Sequence, residues 1–124
     1  MKIRLRTLRV GTREFRWTAE LCGFHDIEQD YHRCVRVRVW GGGKNGRELS
    51  ADLESTDPGP WGGVPDSAYP TPRAVRAIVD YALGHGWDPA ALGGRPHELG
   101  TDAGVDIPGF RITNRLRSMQ HLRY

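Results

Sequence analysis

The strongest constraint on this chain is a pair of alternating runs, Arg33-Cys34-Val35-Arg36-Val37-Arg38-Val39-Trp40 and Arg47-Glu48-Leu49-Ser50-Ala51-Asp52-Leu53-Glu54, joined by Gly41-Gly42-Gly43-Lys44-Asn45-Gly46. Successive side chains of an extended backbone point to opposite faces, so this period belongs to a β-hairpin with one buried face. Setting Val39, Val37 and Val35 opposite Leu49, Ala51 and Leu53 gathers the aliphatic residues on that face. The same register sets Arg36 against Asp52 and Arg38 against Ser50 on the other face, with Trp40 and Cys34 beside them. A slip by one residue would turn the whole apolar set outward, so the register is strongly specified.

The flanking segments extend this pattern. Ile3 and Leu5 alternate with Lys2, Arg4 and Arg6, which predicts a first strand, while Leu8 and Val10 break its parity and predict a bulge or strand end near Thr7. Phe15, Trp17, Ala19 and Leu21 alternate with polar residues and predict a second strand. Pairing Leu5 with Trp17 sets Arg6 against Arg16, Arg4 against Thr18 and Lys2 against Glu20. Residues 22–31 have no period and read as an acidic loop, and 55–71, rich in proline and glycine, as a long loop pinned by Trp61 and Tyr69.

Thr71-Pro72 then opens a helix, threonine as N-cap and proline at the first turn, where its missing N–H costs nothing. Val75, Ile78, Val79, Ala82 and Leu83 form one apolar stripe, and Gly84 and Gly86 end the helix. Trp87 is expected to fold back onto the helix end, with Asp88 capping a short turn over 88–92. Residues 95–108 read as loop, 109–116 as a fifth strand through Phe110, Ile112 and Leu116, and 118–124 as a frayed tail. The expected fold is α+β in the order β-β-β-β-α-β. Four to five antiparallel strands carry one long amphipathic helix on one face, in a single domain over 1–124.

With 124 residues and 38% hydrophobic content the chain can bury a core without staples. The N-terminus has charge but no apolar stretch of a secretory signal, and no run approaches the roughly 18 apolar residues of a membrane span. A cytoplasmic protein with no membrane association is the expectation. Its two cysteines are then expected to be thiols.

Four functional readings follow from the residues. The first is an accessory or adaptor protein that binds another protein. It rests on the long loop and on a face with Trp40, Arg36 and Arg38, the composition of an interaction hot spot, with Trp61 joining from the loop. Arg36 and Arg38 are nevertheless partly neutralised by Glu48 and Asp52 on the facing strand.

The second reading is nucleic-acid binding. Net charge is only +3, but residues 1–16 hold six basic side chains against Glu14, and no acid follows Asp106. Lys2, Arg4, Arg6, Arg16, Arg111 and Arg115 would form one basic surface if the fifth strand lay beside the first. Phe15 and Trp17 point to the core, so stacking aromatics are missing from that surface.

The third is a structural zinc site, the one cofactor the residue types allow. Cys22, His25, His32 and Cys34 supply four S/N donors around the acidic loop, though their central spacing is shorter than that of common fingers. The fourth is an enzyme. No nucleophile elbow, H-E-x-x-H or helical carboxylate pair occurs, which leaves His85, His97 and Glu98 after the helix as the only candidates. The glycine turn lacks the G-x4-G-K-[ST] of a phosphate loop and is followed by a strand, so it reads as a hairpin tip.

Overall fold

The computed structural model of the chain describes residues 5–25, 31–41, 46–55 and 70–113. In chain order these form β1 (Arg6–Val10), β2 (Arg13–His25), β3 (Tyr31–Gly41), β4 (Leu49–Ser55), α1 (Pro72–Leu83), β5 (His97–Leu99) and β6 (Phe110–Ile112). The strands make one six-stranded sheet in the order β1-β2-β3-β4-β5, with β6 also on β4. All pairs are antiparallel except β4 with β5. The fold is α+β, a mostly antiparallel sheet under a single helix.

The central hairpin has the register that burial of its aliphatic side chains requires: Val35 faces Leu53, Val37 faces Ala51 and Val39 faces Leu49. These six residues are all buried and continue into Phe15 and Trp17 of β2 and Leu8 of β1. From the other side α1 adds Ala74, Val75, Ile78, Val79 and Ala82. The helix starts as its sequence dictates, the Thr71 hydroxyl accepting a hydrogen bond from Ala74 N at 3.2 Å with Pro72 in the first turn. Thr71→Ala leaves that N–H without its partner and is expected to cost about 1 kcal/mol, read as a lower urea midpoint with an unchanged slope. No loss would mean that water caps the helix equally well.

Two glycines at the base of the β3–β4 turn are set by close approach. A Cβ at Gly41 would meet the Pro89 ring, and one at Gly46 would run into the Pro89 carbonyl oxygen. The segment after the helix is thereby seated against both ends of the turn, with Gly46 bridging to Leu92.

Four features depart from the sequence pattern. β1 is shifted by one residue: Arg6 faces Trp17, Thr7 faces Arg16 and Leu8 faces Phe15. Burying Leu8 beside Phe15 in the core outweighs burying Leu5, which stays 37% exposed. The predicted Arg6–Arg16 repulsion therefore does not exist, and Arg6 lies instead over the Trp17 ring, 5.6 Å from its centroid.

The expected loop over 22–31 is entered by the ladder from both sides, since β2 continues to His25 and β3 begins at Tyr31, while 26–30 lie outside the described residues. Backbone pairing with β3 sustains these strands past the core, where polar side chains hide the period. Residues 95–108 contain β5, too short at three residues to show any alternation and aligned by His97 N donating to Glu48 O at 2.7 Å. Among the described residues two strands, not one, thus follow the helix. The last described strand spans Phe110–Ile112, within the predicted 109–116, of which 114–116 lie outside the described residues.

Candidate binding surface on the open sheet face

The register sorts the side chains into two faces. Residues opposite the helix include Thr7, Arg9, Arg16, Thr18, Glu20, Cys34, Arg36, Arg38, Trp40, Ser50, Asp52, Glu54 and Arg111. At the β4 end this second face is buried: Asp52 is 1% exposed, Cys34 0%, and Ser50 and Glu54 8% each.

Arg36, expected in solvent, belongs to this buried region. Its Nε donates to Asp52 Oδ1 at 2.8 Å and its Nη2 to Asp52 Oδ2 at 3.2 Å, a fork-to-fork pair whose side chains are 19% and 1% exposed. Its guanidinium is committed within the fold, so the predicted partner surface loses Arg36. Arg111 likewise donates to Glu54 from β6, at 3.0 Å from Nη2 and 3.1 Å from Nε.

The β1–β3 end of the same face is open. Trp40 is half-buried, and its cross-strand neighbour on β2 is Arg16, whose side chain is 48% exposed. Arg38, also half-buried, lies one step along β3 on the same face, opposite Thr18. Arg16 and Glu14 approach only to 3.6 Å in an exposed pair, too loose and too hydrated to hold the arginine. Trp40 is thus flanked by two arginines, Arg38 as the sequence predicts and Arg16 from the strand the sequence assigns to a different surface. The β2–β3 register could not be read from alternation alone, because the intervening 22–31 segment hid the length of the hairpin.

The condition for a continuous basic surface is not met. β6 pairs with β4, so Arg111 is separated from β1 by β2 and β3 and has a carboxylate of its own. Arg6 and Arg16 fall on opposite faces of the sheet. Lys2, Arg4, Arg115 and Trp61 lie outside the described residues.

The cysteine–histidine set is divided by parity. Cys22 and Cys34 are direct cross-strand partners, and His32, paired with Phe24, shares their parity, whereas His25, paired with Tyr31, is at the opposite one. The ladder therefore brings two cysteines together and does not bring the four residues to one face. Among the described residues no group of three or more metal-ligating side chains is found.

The histidines after the helix are occupied locally. His85 is exposed, stacks on Tyr81 with ring centroids 3.9 Å apart and bonds the Tyr81 carbonyl oxygen through Nδ1 at 2.7 Å. His97 is half-buried on β5, and desolvation, reinforced by the Arg47 charge, holds its imidazole below the ordinary histidine range. A cleft of about 320 Å³ lies at the other end of the helix, lined by Leu5, Arg6, Thr7, Trp17 and Pro72. Among the described residues Trp17 Nε1 has no hydrogen-bond partner.

Compared with protein-family models, with curated proteins and with solved structures, the chain has no match in any of the three. Among the described residues, no helix is long and apolar enough to cross a membrane.

Proposed function

We propose that this is a small accessory or adaptor protein that works by binding a second protein, through the open sheet face around Trp40. The observation that carries the reading is the register that sets Trp40 between Arg16 and Arg38 on one face. A half-buried tryptophan offers a large rigid contact area, and the flanking guanidiniums favour an acidic partner segment. Glu14 and Glu20 on the same strand break up the positive field, which suits a protein of mixed charge better than a uniform polyanion.

Nucleic-acid binding remains the second reading, because Trp40 beside Arg16 and Arg38 supplies the stacking aromatic that the N-terminal hairpin lacks. Titration of tryptophan fluorescence with a glutamate-rich peptide and, separately, with a single-stranded oligonucleotide distinguishes the two. The peptide is expected to bind, with Trp40→Ala weakening it by about tenfold or more at an unchanged melting temperature. Tighter binding of the oligonucleotide, lost steeply with salt, would move the function to nucleic acid. Equal peptide affinity in wild type and Trp40→Ala would remove Trp40 from the interface, and a large fall in melting temperature would make it a core residue.

A further inference from the structure

We propose that Cys22 and Cys34 form a reversible cross-strand disulfide that fastens the distal part of the β2–β3 hairpin. The chain has two cysteines, and the ladder makes them each other's direct partner. Directly opposed residues of an antiparallel pair have Cα atoms about 4.5–5.5 Å apart, inside the roughly 4.4–6.8 Å that a disulfide spans. Cβ atoms of directly opposed residues generally stand about 4.5–5.5 Å apart, at or above the upper end of the roughly 3.5–4.5 Å of a relaxed disulfide. Closing the bond draws the strands together, so the disulfide is strained and easily reduced, which is the behaviour of a labile bridge.

The location gives the bond something to do. Beyond the Cys22–Cys34 rung the ladder continues to the His25–Tyr31 pair, while the core face thins from buried Trp17 to Leu21 at 37% exposure. Backbone pairing runs through this end of the hairpin, and a covalent rung would stiffen it against fraying.

The oxidant is a low-molecular-weight disulfide, RSSR. Cys34 is fully buried and in no disulfide in the structure, so it acts as the resolving thiol and not as the attacking one. The Cys22 thiolate attacks one sulfur of RSSR, expelling RS⁻ and leaving a mixed disulfide. The Cys34 thiolate then attacks Sγ of Cys22 and expels the second RS⁻. The two protons lost by the cysteines protonate the two leaving thiolates. Two cysteine thiols are oxidised, and one RSSR is reduced to two RSH.

The test incubates the full chain with glutathione disulfide, quenches with acid, alkylates under denaturing conditions and measures intact mass. The expected result is a monomer that takes up no alkyl groups and has lost two hydrogen atoms, restored to two alkylatable thiols by mild reductant. Oxidised protein should also show slower amide exchange at residues flanking the rung. Cys22→Ser and Cys34→Ser should each give a chain unable to form the internal bond, so an unchanged mass shift in either would overturn the assignment. Two alkylatable thiols after oxidation, a persistent glutathione adduct on the wild type, or a disulfide-linked dimer would equally overturn it. The outcome is independent of what binds at Trp40.

Discussion

Arg36→Ala is expected to destabilise the fold by about 3 kcal/mol, as much as a sizeable core truncation and out of proportion to a residue on a nominally polar face. The reason is the partner it strands. Asp52 is 1% exposed in the central hairpin, and both of its carboxylate oxygens accept from the Arg36 fork, at 2.8 and 3.2 Å. Removing the guanidinium takes the Arg36 fork from a buried carboxylate, and desolvation of that charge, more than loss of an attraction, sets the cost. The double variant Arg36→Met with Asp52→Leu removes both charges at similar volume and should therefore be distinctly less damaging than Arg36→Ala. Urea unfolding of wild type, single and double variants measures this directly. Equal losses in the single and double variants would mean that water reaches the Asp52 carboxylate when Arg36 is gone.

The same pair shows where the sequence was informative and where it was not. Its register followed from Val35, Val37 and Val39 facing Leu53, Ala51 and Leu49, because a buried aliphatic face tolerates no slip. The helix was equally legible, since Thr71, Pro72 and the stripe through Val75, Ile78, Val79 and Ala82 each state one local requirement. Its environment was not legible: nothing in an alternating Val-Arg-Val-Arg run says whether the polar face meets water. Here part of that face is buried around Asp52 and part is open around Trp40.

The remaining departures share a cause, in that each depends on partners distant in the chain. β1 takes its parity from Leu8 because Phe15 stands opposite it, although Ile3 and Leu5 alternate just as well in isolation. β5 exists because β4 offers it an edge, and three residues contain no period from which to predict it. The candidate binding surface was half readable for this reason. Arg38 and Trp40 share a strand and a face by parity alone, whereas Arg16 joins them only through the β2–β3 register.

Trp87 joins elements distant in the chain through one side chain, and truncating it should be the most damaging change after the helix. Gly86, at a φ of +100°, turns the chain after α1 in a way that glycine tolerates, and Trp87 N then donates to Ala82 O at 3.0 Å. The indole, 3% exposed, packs against Phe15 with ring centroids 5.8 Å apart, and its Nε1 donates to Arg47 O at 2.9 Å. One residue thus joins the helix end to β2 and to the segment leading into β4. Trp87→Ala removes both the ring and the bond, for an expected loss of about 3–5 kcal/mol, against total stabilities of about 5–15 kcal/mol for domains of this kind. Trp87→Phe keeps most of the apolar area but leaves the Arg47 carbonyl unpaired, which should cost about 1–2 kcal/mol. Denaturant midpoints of the three proteins, at a common slope, separate packing from hydrogen bonding at this site. If the phenylalanine variant were as unstable as the alanine variant, the Nε1 bond to Arg47 would be what anchors the segment. If it matched wild type, the anchor would be the packing of the ring against Phe15.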